Sequence, residues 1–384
     1  MRVHATVVLG GVAPNPQPLL AFLRAYRDAV QYAVDRIWGM DRVPTVRQLH
    51  EMFYRELREW GFRAHHVSEI YKRAKEIVKA ARRNGGSKPL LRRLTARLHP
   101  YEYRLDSEKK VLRIAALNGG WVEVKLRGVN RLQRFMAEGW QPKELLVSYR
   151  DGGFKVYVAL EREVEVRRPR TVMGVDVNLD NVSYVVLDAS TGRIVTAGVI
   201  VFKGFKKALH LRKLAERLQK RIGRHWRFMK WSRRVHARWM RRAKNIVNDA
   251  THRVAKKLVE IADKYDSLIV LENLKGLKSR ASERSDKLAW LFTQLAYRRL
   301  QKFIEYKAAW RGLRAVYVSA RDTSKTSPIG PVKRLNYRWV LLPNNVVTTR
   351  DTIAAWNLAL RGLTRMRGSQ RVQDGALIAP AVRG

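Results

Sequence analysis

Apolar and polar residues in the first part of the chain follow two different spacings. Residues 1–11 alternate between apolar and polar side chains, and this period of two predicts a β-strand. From Gln17 to about Gly39 the apolar residues recur every three or four positions, which predicts an amphipathic helix. Residues 45–61 and 67–86 repeat the helical spacing, so two more helices are expected, the second of them closed by a pair of glycines.

The period of two returns in two later segments, each of which contains a turn dipeptide. Residues 110–126 carry Asn-Gly at 118–119, and residues 144–161 carry Asp-Gly at 151–152. Such dipeptides favour tight turns between antiparallel strands, so each segment predicts a β-hairpin. The first part of the chain is therefore expected to be an antiparallel β domain with an inserted helical bundle.

Strand and helix patterns alternate in the rest of the chain. The segments predict strands at 172–188, 193–202, 267–274 and 314–319, and helices at 206–265, 287–310 and 350–362. This alternation is typical of an α/β layer architecture. The predicted fold class is therefore multidomain, with an α+β first half followed by an α/β second half.

The charge of the chain narrows the choice of partner. Among 384 residues there are 78 Lys and Arg against 33 Asp and Glu, which gives a net charge of +45 and a pI near 11.2. Such an excess argues against an enzyme of small neutral metabolites and indicates a polyanionic partner. No stretch approaches the ~20 uncharged apolar residues of a membrane-spanning helix, and residues 1–11 lack the apolar core of a signal peptide. We therefore expect nucleic acid and no membrane as the partner, and a cytoplasmic, nucleoid-associated location in a prokaryote.

The chain contains no cysteine. This excludes disulfides, thiol catalysis and zinc ribbons built on cysteine. Because thermolabile residues are depleted in proteins of hot-living organisms, it also favours a thermophilic source.

Three acidic residues stand at positions where a carboxylate needs a partner. Asp176 interrupts an apolar strand, Glu272 ends another, and Asp351 opens the last predicted helix. A buried carboxylate is costly unless it is paired, hydrogen-bonded or bound to a metal ion. If the three converge, their oxygen atoms are the ligands that two Mg²⁺ ions need for phosphodiester hydrolysis.

Each of these acids also has a purely structural explanation. Asp351 suits the N-terminus of a helix, where the helix dipole favours an anion, and Glu272 suits a solvated strand end. Asp180 and Asp188 are close to Asp176 in the sequence and compete with it for the same role. The spacing alone does not choose among them.

A basic segment lies inside the second half. Residues 206–257 contain about twenty Lys and Arg but only two acids, which favours binding to a nucleic acid backbone. Trp226, Phe228, Trp231 and Trp239 alternate with these cations, and they suit either base stacking or the buried stripe of a helical hairpin. The candidate nucleic-acid-binding residues are Arg224, Arg227, Lys230, Arg233, Arg234, Arg238, Arg241 and Arg242.

Five segments, in order, resemble the RuvC-type blocks of the TnpB family of transposon-encoded RNA-guided nucleases, relatives of the compact type V CRISPR effectors. These segments are GVDVNLDNVSYVVLD, IVLENLKGL, RLQKFIEYKAAWRGL, VYVSARDTSKTSPIG and RDTIAAWNLALRG. The resemblance implies an RNase H-like nuclease fold with Asp176, Glu272 and Asp351 as its acidic triad. It also implies a guide RNA, two Mg²⁺ ions with Mn²⁺ as a possible substitute, and cleavage of double-stranded target DNA beside a short target-adjacent motif.

The same resemblance suggests a domain arrangement. The expected parts are a β wedge domain at 1–12 and 87–169, a helical recognition insert at 13–86, a RuvC-like nuclease domain at 170–363 and a basic tail at 364–384. The nuclease domain would contain the basic helical region at 203–266 and a degenerate zinc-ribbon insert at 322–349. We expect a monomer.

The chain departs from the family pattern in the zinc-ribbon insert. The family has two Cys-x-x-Cys pairs there. In this chain the first pair falls on Ser327 and Gly330, and the second falls near Leu341 and Asn344. Zinc strongly prefers thiolate ligands, so no structural zinc is predicted. The insert is then held by apolar packing of Ile329, Trp339, Val340, Leu341 and Leu342, or it is a decayed loop.

Two other functions compete with that of an RNA-guided endonuclease. One is an RNA-guided DNA-binding repressor of the same fold that does not cut. The other is a structure-specific nuclease or transposase that uses no guide, since fold analogy alone does not separate these classes. The acidic triad argues against the first, and the size of the basic surface argues against the second.

Overall fold

The computed structural model describes residues 1–178, 181–273, 297–319, 327–336 and 338–377. Two units are distinguished along the chain, Arg2–Glu163 and a second unit formed by Met1 and Val164–Gly384. Each unit has its own sheet, and the mixed helix and sheet class expected from the sequence is confirmed.

Residues 2–163, all of which are described, form a seven-stranded antiparallel sheet in the order β2-β6-β7-β1-β5-β4-β3. Its strands are β1 (Arg2–Val12), β2 (Leu94–Leu98), β3 (Tyr103–Asp106), β4 (Val111–Ala115), β5 (Trp121–Arg127), β6 (Gln141–Arg150) and β7 (Gly153–Glu163). Every second residue of β1 is buried, which explains the period of two. Both predicted hairpins are confirmed, since β4 pairs with β5 and β6 pairs with β7 across the two turn dipeptides.

Three helices lie between β1 and β2, as the spacing of apolar residues predicts. They are α1 (Gln17–Trp38), α2 (Val46–Glu59) and α3 (Ala64–Arg83). The start of α2 is defined by a capping box, in which Thr45 and Gln48 bond each other's backbone N–H groups. Strands β2 and β3 and the short helix α4 (Asn130–Ala137) are not predicted by the sequence pattern, because segments this short contain too few periodic positions.

A buried histidine–glutamate contact joins α3 to the connection between β2 and β3. Nε2 of His66 lies 3.2 Å from Oε2 of Glu102, and both side chains are fully buried, with the ring of Phe22 4.9 Å from that of His66. Burial raises the pKa of Glu102 to about 8. Burial, followed by the charge of Arg63, lowers the pKa of His66 to about 3. Both shifts favour the neutral forms of the two side chains.

The second unit has a mixed sheet, with five strands among the described residues, in the order β10-β9-β8-β11-β12. The strands are β8 (Thr171–Val177), β9 (Asn181–Asp188), β10 (Ile194–Val201), β11 (Ser267–Glu272) and β12 (Ala315–Val318). Strand β9 is antiparallel to β8 and β10, whereas β11 is parallel to β8 and β12. The strands predicted for the second half are confirmed.

Helices cover both faces of this sheet. They are α5 (Phe205–Ile222), α6 (Lys230–Lys264), α7 (Tyr297–Ala309) and α8 (Arg350–Leu377). Helices α5, α6 and α7 share a core with Met173 and Val175 of β8, whereas α8 shares one with Val172 and Val270. The single helical region predicted at 206–265 is in fact two helices, because a short 3₁₀ turn at Gly223–Arg227 reverses the chain. The part of the predicted helix at 287–296 lies outside the described residues.

A small antiparallel sheet precedes α8. Its described strands are β13 (Lys333–Arg334), β14 (Trp339–Leu341) and β15 (Val347–Thr349). Strand β15 runs directly into α8, so this insert and the last helix are one continuous piece of chain. Across the described part of the chain, no helix is long and apolar enough to cross a membrane.

We predict that Glu102→Gln removes a loss of stability at mildly alkaline pH. Glu102 keeps its proton up to about pH 8 in the folded state, whereas the unfolded chain loses that proton near pH 4.5, so this carboxyl destabilises the fold increasingly between those values. His66 acts oppositely between about pH 3 and 6.5, because only the unfolded chain is protonated there. The net loss should therefore appear between pH 6.5 and 8, where urea-unfolding midpoints would measure it.

The control for this prediction is Glu108→Gln, which removes an exposed carboxylate in the neighbouring turn. It should leave the decline between pH 6.5 and 8 intact. An unchanged decline in Glu102→Gln would contradict the assignment.

Candidate functional site

Two of the predicted acids stand side by side at one edge of the mixed sheet. Val175 of β8 pairs with Leu271 of the parallel strand β11. The residues that follow, Asp176 and Glu272, therefore meet where both strands approach their carboxyl ends. Carboxyl ends of neighbouring parallel strands are a common place for functional side chains.

The two carboxylates belong to the face of the sheet that α8 covers. Val172 and Val270 pack against α8, and side chains two residues apart on a strand share a face. Asp176 and Glu272 lie an even number of residues along from these valines, so they are directed to the same side. Ser183 of β9 pairs with Asp176 across the ladder and shares that face as well.

The third acid reaches this edge through a close contact between α8 and β8. A methyl group on Gly174 would lie 2.0 Å from the carbonyl oxygen of Ala355 and 2.4 Å from the backbone nitrogen of Ala359. The helix backbone therefore lies directly on β8 at this glycine. Asp351 is one helical turn before Ala355, in the first turn of α8.

The pKa of Asp176 reports the presence of the other two acids. Burial, together with the charges of Glu272 and Asp351 and against the effect of a hydrogen bond from Asn178, raises the pKa of Asp176 to about 7. In that bond Nδ2 of Asn178 donates to Oδ2 of Asp176 at 2.8 Å. Burial also raises the pKa of Glu272. The three predicted residues are thus close enough for their charges to interact.

The chemistry of this donor set fits a hard divalent cation. It offers oxygen atoms from three carboxylates, and a cation would offset the burial and mutual repulsion that raise the pKa of Asp176. The hydroxyl of Ser183 is buried beside Asp176 and forms no hydrogen bond within the described residues. In the described parts of the chain, however, no three His, Asp or Glu side chains are arranged to hold a metal ion. The three carboxylates are close enough for their charges to interact, but their side chains are not arranged as a complete set of metal ligands.

Asp188, the alternative to Asp176 that lies within the described residues, has a different role. Asp188 pairs with Thr171, at the opposite end of β8 from Asp176. Its Oδ1 accepts hydrogen bonds from Ser190 and Thr191, and these bonds lower the pKa of Asp188 to about 2. It is a turn residue. Asp180 lies outside the described residues.

The basic candidates form an exposed surface on the hairpin of α5 and α6. All eight predicted nucleic-acid-binding residues are exposed, and none of them forms an ion pair within the described residues. Their charges are therefore available to an outside polyanion. The acids nearest in sequence, Glu216 and Asp249, pair instead with Arg212 and Arg253.

The aromatic residues of this hairpin divide between two roles. Trp239 packs against the sheet core and Trp226 lies against His236, with ring centroids 4.7 Å apart, so both are structural. Phe228 and Trp231 are 82% and 53% exposed. The sequence left both roles open for every one of these residues, because helical spacing does not reveal which side of a hairpin meets the core.

The insert at 327–349 contains a hydrogen-bonded turn and a small apolar core. Oγ of Ser327 donates to the carbonyl oxygen of Gly330 at 2.6 Å, and the N–H of Gly330 donates back to the Ser327 carbonyl oxygen at 3.2 Å. Val340 and Leu342 are buried against Ile353 of α8. Of the other two predicted positions, Leu341 belongs to β14 and Asn344 to the turn before β15.

Packing of the insert was predicted for more residues than take part in it. Ile329 and Trp339 are both 44% exposed, so they contribute little.

Gly174, Asn178 and Ser183, which surround Asp176, were not predicted from the sequence. A glycine inside an apolar strand is the one signal that could have indicated the close approach of a backbone.

We predict that Gly174→Ala separates α8 from β8. The added methyl group would collide with backbone atoms, which cannot rotate away, so the helix has to shift and carry Asp351 with it. The expected cost is about 3 kcal/mol or more, at the upper end for overpacking, and thermal unfolding would measure it. Gly368→Ala is the matched control in the same helix, where the methyl group meets nothing within 4 Å. Equal midpoints for the two variants would show that the contact is not tight.

Comparisons with known proteins agree with the motifs. A family model described as the Cas12f1-like TNB domain matches residues 297–358. The TnpB-like protein MJ0751 of Methanocaldococcus jannaschii is 28% identical over 229 residues, which cover 56% of this chain and 81% of that protein. The CRISPR-associated endodeoxyribonuclease Cas12f2 of a Micrarchaeota archaeon is 27% identical over 183 residues, covering 46% of this chain and only 32% of that protein.

Solved structures show a similar fold at low sequence identity. A Cas12f1–sgRNA–target DNA complex contains a chain with a TM-score of 0.63 and 13% identity, over 89% of this chain and 83% of that one. The mini-RNA-guided endonuclease CRISPR-Cas phi3 gives a TM-score of 0.55 and 10% identity, over 94% of this chain and 92% of that one. Together with the order of the sequence motifs, these comparisons show that the chain is similar to TnpB-like and Cas12f proteins and shares the fold of compact type V effectors.

Proposed function

We propose that this protein is an RNA-guided DNA endonuclease with Asp176, Glu272 and Asp351 as its acidic triad. The observation that carries the proposal is the meeting of these three carboxylates on one face and one edge of the mixed sheet, where their charges influence one another. In this proposal the second unit contains an RNase H-like nuclease domain of the RuvC type at 170–363. The first unit supplies the wedge and recognition parts.

The triad would hold Mg²⁺, with Mn²⁺ as a possible substitute. When two ions are bound, they supply activation of the attacking water and stabilisation of the leaving oxygen. Asp176 presents its carboxylate from the strand, and the amide of Asn178 holds that group in place at 2.8 Å. Glu272 and Asp351 contribute oxygen atoms from the neighbouring strand and from the first turn of α8.

Guide RNA and double-stranded target DNA are the proposed partners. The net charge of +45 suits two polyanions held at once, and the exposed arginines of the α5–α6 hairpin provide part of that surface. The structurally similar Cas12f1 chain was solved in a complex with an sgRNA and a target DNA. Sequence recognition would then be delegated to base pairing, and the protein would bind the backbone of the heteroduplex.

We predict that Asp176→Asn, Glu272→Gln or Asp351→Asn reduces DNA cleavage at least 100-fold and leaves RNA binding nearly unchanged. Each change removes a charged ligand but keeps the shape of the side chain. In the assay, the full chain is expressed together with its flanking DNA, and the RNA that co-purifies is sequenced. Cleavage of a matching plasmid with a randomised flank is then measured in the presence of Mg²⁺. Asp188→Asn is the control, because that residue belongs to a turn at the far end of β8.

The outcomes of this assay separate the competing functions. A triad variant that cuts at the rate of the unmodified chain would remove its residue from the site. One defined RNA with tight target binding and no cleavage by the unmodified chain would favour the repressor. Cleavage that persists after removal of the RNA would refute guide dependence.

We also predict that the purified protein contains no stoichiometric zinc. The insert would then be held by apolar packing, so a chelator should leave its thermal midpoint unchanged while Leu342→Ala lowers stability by about 2–5 kcal/mol. Mass spectrometry of the metal content and thermal unfolding test both statements. Ile329→Ala, at an exposed position, should have little effect. A zinc content of one ion per chain would contradict the prediction.

A further inference from the structure

The turn between α5 and α6 displays apolar side chains to solvent. Phe228, Met229 and Trp231 are among the exposed large hydrophobic residues of the chain, and they follow one another within four positions. Exposed aromatic groups that cluster in this way mark a binding surface more often than scattered ones do. We call residues 223–234 the hairpin tip.

The hairpin tip has a defined conformation. Gly223 ends α5 with a φ of +63°, a backbone state that glycine adopts without strain. Ser232 is fully buried, and its Oγ lies 2.7 Å from the carbonyl oxygen of Trp226 and 2.9 Å from that of Met229, so it can donate to either. The N–H of Phe228 donates to the carbonyl oxygen of His225 at 2.9 Å. The exposed rings are therefore presented on a fixed turn.

The charge around the hairpin tip has one sign. Residues 217–242 contain nine arginines, two lysines and no acidic residue. Arginine predominates, and its planar guanidinium binds phosphate through paired hydrogen bonds and stacks on aromatic surfaces. A membrane-surface helix needs a continuous apolar face, whereas here the exposed apolar groups are confined to one turn. The combination fits a ligand that has both phosphates and flat apolar rings.

We propose that the hairpin tip is a stacking site for unpaired nucleobases of single-stranded nucleic acid, with Phe228 and Trp231 as the stacking residues. The proposal rests on the nucleic-acid-binding part of the function proposed above and specifies it. Bases in a duplex present their faces to one another, so only unpaired bases offer a face to these rings. The surrounding arginines hold the backbone in either case, and the aromatic rings supply the preference for single strands.

The test compares the full chain, freed from co-purified RNA by high salt, with Phe228→Ala/Trp231→Ala. The probes are a 20-nucleotide oligo-dT, an RNA strand of the same length and a 20-base-pair duplex, measured by fluorescence anisotropy at several salt concentrations. Loss of two stacking residues should weaken binding of a single strand about tenfold or more. Duplex binding should change less than twofold. The separate DNA and RNA strands show which nucleic acid the site takes.

Three matched variants give this test its controls. Val201→Ala removes an exposed apolar side chain elsewhere in the same unit and should have no effect. Phe228→Trp/Trp231→Phe keeps aromatic rings and should retain single-strand affinity. Arg233→Gln/Arg234→Gln should weaken binding to single strands and to duplex alike and reduce the slope of affinity against salt, whereas the aromatic variant should leave that slope unchanged.

Several results would overturn the inference. These are equal losses on single strands and duplex in Phe228→Ala/Trp231→Ala, or no loss on either. An unmodified chain that binds no nucleic acid would refute the proposed function as well. A chain that prefers single strands through these rings but never cuts would refute only the nuclease.

Discussion

The candidate site depends on the contact between the backbone of α8 and strand β8 at Gly174. Without a side chain at this position, the helix can lie against the strand at the distance that places its first turn over the edge of the sheet. Asp351 comes from α8, whereas Asp176 and Glu272 come from two strands between which β9, β10 and the α5–α6 hairpin lie in the sequence. One close packing contact thus brings together carboxylates that are 175 residues apart in the sequence.

The insert before α8 stabilises this arrangement without cysteine. Ile353 of α8 packs into the small core formed by Val340 and Leu342, and Oγ1 of Thr349 accepts a hydrogen bond from the N–H of Thr352 at 3.1 Å. The helix is therefore anchored at its start by the insert and along its length by the sheet. Apolar burial fixes the position and the orientation of a segment, which is the same constraint that a structural metal ion supplies.

Electrostatics separate the two functional regions of the second unit. The acids of the site lie together, and burial, followed by the charges of Glu272 and Asp351, raises the pKa of Asp176. The eight candidate nucleic-acid-binding residues of the α5–α6 hairpin are exposed and form no ion pair within the described residues. The acidic site and the basic hairpin are therefore separate regions of opposite charge within this unit.

Local patterns in the sequence were enough for the main strands and helices, for the basic segment and for the three candidate acids, because period, turn dipeptides and charge are carried by neighbouring residues. They were not enough for β2, β3 and α4, which are too short, or for Ser183 and Asn178, which matter only through the strand pairing and hydrogen bond that place them beside Asp176. The sequence alone therefore determined which residues could carry the chemistry. Only the tertiary structure decided which aromatic rings reach solvent and which acids meet, since both depend on contacts between segments far apart in the chain.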